Sequence, residues 1–198
     1  EPGITINMNG EIVYQAAKNK AAEGDLIYLS KPLGTGYLIA SYFKNSNIIN
    51  IDDFKTLIYW LKKGNLQIVN IARKFGSKVM TDISGFGLAS HLSDICRSSK
   101  VSARILLKNS LLINENHDLL DKYQSTGFKN NFQSSRQIVD NRGNGLLEKI
   151  LYDPQTNGPM LFSINQNDQI NFEKECKSKV SNGPFLLGRF VSSEDKLI

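Results

Sequence analysis

Short strand patterns interleave with amphipathic helical ones in no regular rhythm, and nothing else constrains the fold of this chain so strongly. The runs LIYL (26–29), SKVM (77–80), VSARILL (101–107), PMLFSI (159–164) and FLLGRF (185–190) each read as a strand. Their length, branched or aromatic content and flanking turn residues favour that reading. Helical patterns lie between them. YLIASYF follows Gly36, Phe54, Leu57, Ile58 and Leu61 recur at helical spacing, and Ile68, Ile71, Ala72 and Phe75 continue on a second helix. Leu88, Leu92, Ile95 and Cys96 share one face of another helix that runs to about Ser99, followed later by GLLEKIL and a helix near 166–179. A doubly wound parallel sheet would alternate strand and helix regularly. This order instead predicts an α+β fold, with a mixed or antiparallel sheet covered by helices.

Two segments fall outside that pattern. Residues 1–23 read as a leading segment, with Ile4, Ile6 and Met8 alternating before the turn Asn9-Gly10 and GEIVYQ as a returning strand. Residues 128–145 are polar and turn-rich and read as a long mobile loop.

Composition narrows the function classes. Hydrophobic residues make up 40% of the 198, enough for a real core. No apolar run approaches the roughly 20 residues of a membrane helix. The opening EPGITINMNG lacks the features of a secretory signal. With only Cys96 and Cys176, no disulfide framework or CxxC knuckle exists, and a cytoplasmic setting is expected. The net charge of +5 comes from scattered lysines without interleaved aromatics, so no nucleic acid partner is expected.

Three places gather chemistry. In Thr81-Asp82-Ile83-Ser84-Gly85-Phe86-Gly87 a strand ends and a helix is expected to begin near Ser84. Free amides at such a junction attract anions, and a carboxylate beside them suits Mg²⁺ held against nucleotide phosphates. Alternatively Asp82 simply caps the helix. Gly34-Thr35-Gly36, after Lys31 and Pro32, lets backbone approach a phosphate, or is a plain turn. Asp153-Pro154-Gln155-Thr156 puts oxygens and amides on a tight turn, which is equally a structural device. Nucleophile candidates are poor. Cys96 lies on an apolar helix face, and His91 and His117 form no dyad. Alone, the chain looks underequipped for catalysis.

Taken together, these motifs resemble one family. GDLIYLSKPLGTG (24–36) resembles the GDxxxLTKPLGTG segment of selenophosphate synthetases, and TDISGFGLASHL (81–92), preceded by Asn70, resembles ATDVTGFGLLGHL. LYDPQTNGPMLFSI (151–164) is similar to LFDPQTSGGLLLAV, and FLLGRF to the closing strand. The resemblance runs in order over residues 24–190. It implies the C-terminal domain of the aminoimidazole-ribonucleotide synthetase-like fold, with 1–23 leading in from an N-terminal domain and 24–198 forming the C-terminal one.

The implied activity is ATP-dependent synthesis of selenophosphate from selenide, releasing AMP and orthophosphate. The resemblance makes Asp82 a Mg²⁺ ligand, with Thr81 and Ser84 supporting its turn. Lys31, Gly34, Thr35 and Gly36 rank second, toward the nucleotide, and Asp153, Gln155 and Thr156 third, shaping the cleft. The remaining metal carboxylates, the lysine, the glycine-rich lid and the reactive Cys or selenocysteine belong to the N-terminal domain, as does the homodimer surface, so no catalytic residue is expected in this chain. Asn157 and Pro159 depart from the SGG pattern and predict a stiffer loop. Rival readings are a thiamine-phosphate kinase or hydrogenase-maturation relative, and a docking domain without catalysis.

Overall fold

The structure, a computed structural model, describes residues 5, 7, 9–140, 145–193 and 198. Its centre is β1 (Leu26–Leu29), four residues that are all buried. Such a strand must be covered on both faces, and the alternation of side chains shows how. Ile27 and Leu29 point into one core with Leu33, Tyr37, Leu38, Leu88, Leu92 and Cys96, whereas Leu26 and Tyr28 point into a second. The second core holds Ile68, Ile71, Ala72, Phe162, Phe172 and Cys176.

Around β1 stand β2 (Met80–Asp82), β3 (Val101–Ile105), β4 (Met160–Ile164) and β5 (Phe185–Ser192), in the order β2-β4-β1-β5-β3. Every pairing is antiparallel. Of the two arrangements the sequence allowed, the sheet is therefore the antiparallel one. On the first face lie α1 (Thr35–Lys44), α2 (Ile51–Lys62) and α4 (Gly87–Ser99). On the second lie α3 (Leu66–Lys74) and α8 (Gln169–Lys179), whose Phe172 meets Tyr28 and Phe162 edge-on at 5.1 and 5.8 Å. The short helices α5 (His117–Lys122), α6 (Phe128–Ser135) and α7 (Gly145–Glu148) complete the first layer.

Local chemistry explains several boundaries. Asn50 caps α2 by accepting from the Asp52 and Asp53 amides at 3.0 and 2.8 Å, leaving those two aspartates in the first turn, favourable to the dipole. Asn65, which precedes α3, spends its side chain elsewhere, accepting from Ser30 Oγ and donating to Gly158 O.

Three expectations need correction. Ile4, Ile6 and Met8, half of the expected hairpin, lie outside the described residues. The other half, 10–15, forms no strand. Ile12 is 82% exposed with Val13 beside it equally outward, so the segment has no face to bury, and Tyr14 tethers it by donating to Ser77 O at 2.6 Å. The expected mobile loop carries α6, because Phe128 and Phe132 sit one turn apart and both rings pack on Tyr152. Its last residues, 141–144, lie outside the described set. Finally, the strand expected at 77–80 lies three residues later, at 80–82.

Candidate functional site

Asp82 is the last residue of β2, an edge strand, and it is exposed. Its backbone is held in register opposite Met160. The helix does not begin near Ser84. It begins at Gly87, and no side chain caps it. The helix-cap reading of Asp82 is thereby overturned, because four residues of turn separate the carboxylate from the first helical residue. Asp82 also makes no ion pair among the described residues.

The turn after Asp82 is fixed from several sides. Ile83 N donates to Pro159 O at 2.8 Å, Ser84 O accepts from Gln155 N at 3.0 Å, and Gly87 N donates to Ser84 O at 3.0 Å. Asn131 of α6, itself buried, donates through Nδ2 to Gly85 O at 2.9 Å and to Tyr152 O at 3.0 Å. Beneath the turn lies His91, whose Nε2 sits 3.4 Å from both the amide and the hydroxyl of Ser84. Burial pulls the imidazole below its usual range, Lys18 adds to this, and Asp82 and Asp94 oppose it. Thr81 supports the turn locally, its hydroxyl donating to Asp82 O at 3.3 Å. Phe86 is projected outward from this rigid turn, 69% exposed.

The Lys31–Gly36 segment is placed differently. Lys31 is 2% exposed, and its ammonium donates to Lys63 O at 2.9 Å and to Asn157 O. Loss of water pulls its pKa down to about 8, with the Lys63 charge a secondary cause. The amides of Gly34 and Thr35 donate to Gln155 Oε1 at 3.0 and 3.3 Å, and Gly36 N donates to Asp153 Oδ2 at 3.1 Å. These are the first amides of α1, where anions are favoured. The chain fills that position with its own Asp153.

Asp153 is 1% exposed, and burial pushes its carboxyl up to about 7 against the opposing effects of the Tyr37 amide, Gln155 and the Gly36 amide. Gly36 is required here, since a Cβ would overlap Pro154 O and both Asp153 oxygens. Thr156 N donates to Thr35 Oγ1 at 2.9 Å, closing the loops together. Asn157 takes positive φ (44°), which asparagine tolerates, and its Nδ2 donates to Leu61 O at 2.7 Å. Gly158 is pressed so closely on Ile83 O that no side chain would fit.

The three motifs thus meet. The 153–159 loop lies between Lys31–Gly36 and Asp82–Gly87 and bonds to both. Asp82, Gly85, Phe86, Thr156 and Asn157 are exposed, whereas the Gly34–Gly36 amides and the Asp153 and Gln155 side chains are turned toward each other. Sequence reasoning missed Asn131 and Phe86. The Phe128/Phe132 spacing is the signal that would have placed Asn131 on a helix. Among the described residues, no group of three or more His, Cys, Asp or Glu could hold a metal ion, and no helix is long and apolar enough to cross a membrane.

Comparison with known proteins bears on this geometry. Residues 22–180 match the family described as AIR synthase related protein, C-terminal domain. The chain is 34% identical over 151 residues to a selenide, water dikinase of Photobacterium profundum, covering 74% of this chain and 42% of that protein. It is 32% identical over 181 residues to one of Aeromonas hydrophila, covering 85% and 49%. The chain therefore spans about half the length of the curated relatives it matches. Among solved structures, thiamine-monophosphate kinase from Stenotrophomonas maltophilia aligns with a TM-score of 0.59 at 16% identity, covering 92% of this chain and 54% of that one. The hydrogenase maturation protein HypE in complex with ATP gives 0.56 at 15%, covering 89% and 45%. These last two likenesses establish the fold alone.

Proposed function

The chain belongs to the AIR synthase related protein family, which it matches through the C-terminal domain, and from that premise we propose that it is the C-terminal half of a selenide, water dikinase. The reaction is selenide plus ATP plus water to selenophosphate, AMP and orthophosphate. The observation that carries this reading is Asp82: an exposed carboxylate with no ion pair among the described residues, at the end of an edge strand, on a turn held from below by hydrogen bonds.

Mg²⁺ takes near-octahedral oxygen ligation and is bound by one or two carboxylates together with substrate phosphates and water. The residues present fit one share of such a shell. Asp82 offers the carboxylate, and further ligands come from the nucleotide and from the N-terminal half that precedes this domain in the proposed protein. Bound beside Asp82, the ion would supply charge neutralisation to the phosphates. This chain's residues hold and orient: Thr81 and Ser84 support the turn, and Asp82 meets the ion. Lys31, Gly34, Thr35, Gly36, Asp153, Gln155 and Thr156 serve the nucleotide site from beneath: the Gly34–Gly36 amides bond Gln155 and Asp153, Thr156 N bonds Thr35 Oγ1, and Lys31 is held by the Lys63 and Asn157 carbonyls. Phe86 lines the rim. We place the protein in the cytoplasm as a homodimer joined through its N-terminal halves. The two cysteines, both buried and not joined in a disulfide, suit that setting.

The test is selenide-dependent formation of AMP from ATP by the full-length protein, comparing wild type with Asp82→Ala. The expected result is an active wild type and a variant slower by roughly 100-fold or more, as for loss of a transition-state electrostatic contact. An active wild type indifferent to the substitution would remove Asp82 from the metal site. A wild type with no such activity would remove the reaction itself.

A further inference from the structure

Gln155 bonds to both of the other motifs at once. Its side-chain oxygen accepts from Gly34 N, Thr35 N and Thr35 Oγ1 at 3.0, 3.3 and 3.2 Å. Its side-chain nitrogen donates to Asp153 O and Asp153 Oδ2, both at 2.9 Å. Its backbone amide donates to Ser84 O at 3.0 Å. Both N–H donors of the side-chain amide are used and its oxygen carries three donors, so the group has no capacity left for a ligand. The side chain is also buried. Gln155 therefore cannot touch a nucleotide without first giving up the contacts that define its place.

Its effect on the metal-side turn is direct. Two bonds grip the residues after Asp82, Pro159 O accepting from Ile83 N and Gln155 N donating to Ser84 O, and they come from opposite ends of one five-residue stretch. Gly158, between those ends, packs against Ile83 O. The N-terminal end of that stretch is anchored on the first turn of α1 through the side chains of Gln155 and Asp153 and the Thr156–Thr35 bond. Mg²⁺ requires its oxygens within a few tenths of an ångström of ideal positions, so the anchor of the turn governs how well Asp82 is placed.

We propose that Gln155 is a positioning residue for Asp82: it transmits the rigidity of the α1 N-terminus to the 83–86 turn and sets the Mg²⁺ affinity of a carboxylate it does not contact. The proposal rests on the reading of Asp82 as a metal ligand, and two measurements separate their fates. The first is amide hydrogen exchange on this 198-residue chain without any ligand, comparing wild type, Gln155→Met and the milder Thr35→Val. Loss of several bonds of about one order of magnitude or less each should speed exchange at Ile83, Ser84 and Gly87 by roughly 10- to 100-fold, with the amides of β1 and β5 unchanged. Faster exchange everywhere to the same degree, or no change at the turn, would overturn the proposal.

The second is the Mg²⁺ concentration for half-maximal AMP formation by the full-length protein. Gln155→Met should raise it several-fold, and combining it with Asp82→Asn should add less than the two single effects together. Full additivity would overturn the proposal, because a general loss of stability acts independently of Asp82. A loosened turn in the first measurement with Asp82→Asn indifferent to Mg²⁺ in the second would sink the metal reading and with it this role for Gln155, leaving only the clasp.

Discussion

Lys31 gives the sharpest quantitative expectation. Its ammonium is buried beneath the 153–159 loop, held by two carbonyl oxygens and by no carboxylate among the described residues. A folded-state pKa of about 8 against an ordinary 10.5 corresponds to about 3 kcal/mol of differential interaction, since each unit is worth about 1.4 kcal/mol. The sign follows from proton counting. Between pH 8 and 10.5 the unfolded chain still holds the lysine proton while the folded chain has released it. The unfolded state therefore binds more protons, and stability rises with pH in that window. Below pH 8 the folded protein carries the full desolvation cost. The quantity to measure is the difference between wild type and Lys31→Met, by urea denaturation at half-unit steps from pH 7 to 10.5, in which contributions common to both proteins cancel. Relative to Lys31→Met, the wild type should gain roughly 2–4 kcal/mol across the window. A difference flat to within about 1 kcal/mol would refute the reasoning, and would mean that the two carbonyl dipoles fully replace the lost water.

Two further expectations rest on other parts of the same junction. Gly36→Ala should cost about 3 kcal/mol or more or prevent folding, because its Cβ would overlap rigid backbone at Pro154, whereas Gly64→Ala, with open space around it, should change stability by less than about 1 kcal/mol in thermal unfolding. Asp153, with a carboxyl pushed up to about 7 from 3.8, takes up a proton on folding, so its contribution to stability is full below pH 4 and is lost as pH rises toward 7; Asp153→Asn should remove that slope from a pH series of denaturation curves.

Much of the fold was legible because burial leaves a periodic trace. All-apolar LIYL announces a strand covered on both faces, and the structure places helices on each. Leu88, Leu92, Ile95 and Cys96 announce a helix face, and all four are fully buried. The errors fell where the trace is thin. Alpha-6 has only Phe128 and Phe132 among polar residues, and its buried Asn131 reads as a loop residue until its two carbonyl partners are known. The start of α4 was placed near Ser84 because Asp82 looks like a cap, yet the Ser84 amide and hydroxyl face His91 and its carbonyl is taken by Gln155.

The sequence by itself determined the α+β class, the order of the five sheet strands and the family, because each depends on local periodicity or on the wording of short motifs. It also singled out Asp82, Lys31–Gly36 and Asp153–Thr156 as candidate site segments, which the fold brings together. Only the tertiary structure decided what each one does with its polar atoms. Whether a glycine-rich turn offers its amides to a ligand depends on what else reaches them, and here Asp153 and Gln155, more than 115 positions away, already do. Whether a carboxylate is available depends on whether a helix starts beside it, and α4 starts four residues too late to use Asp82 as its cap. Hydrogen-bond capacity is shared across the whole fold, so the residues left with capacity to spare are set by contacts that no local pattern records.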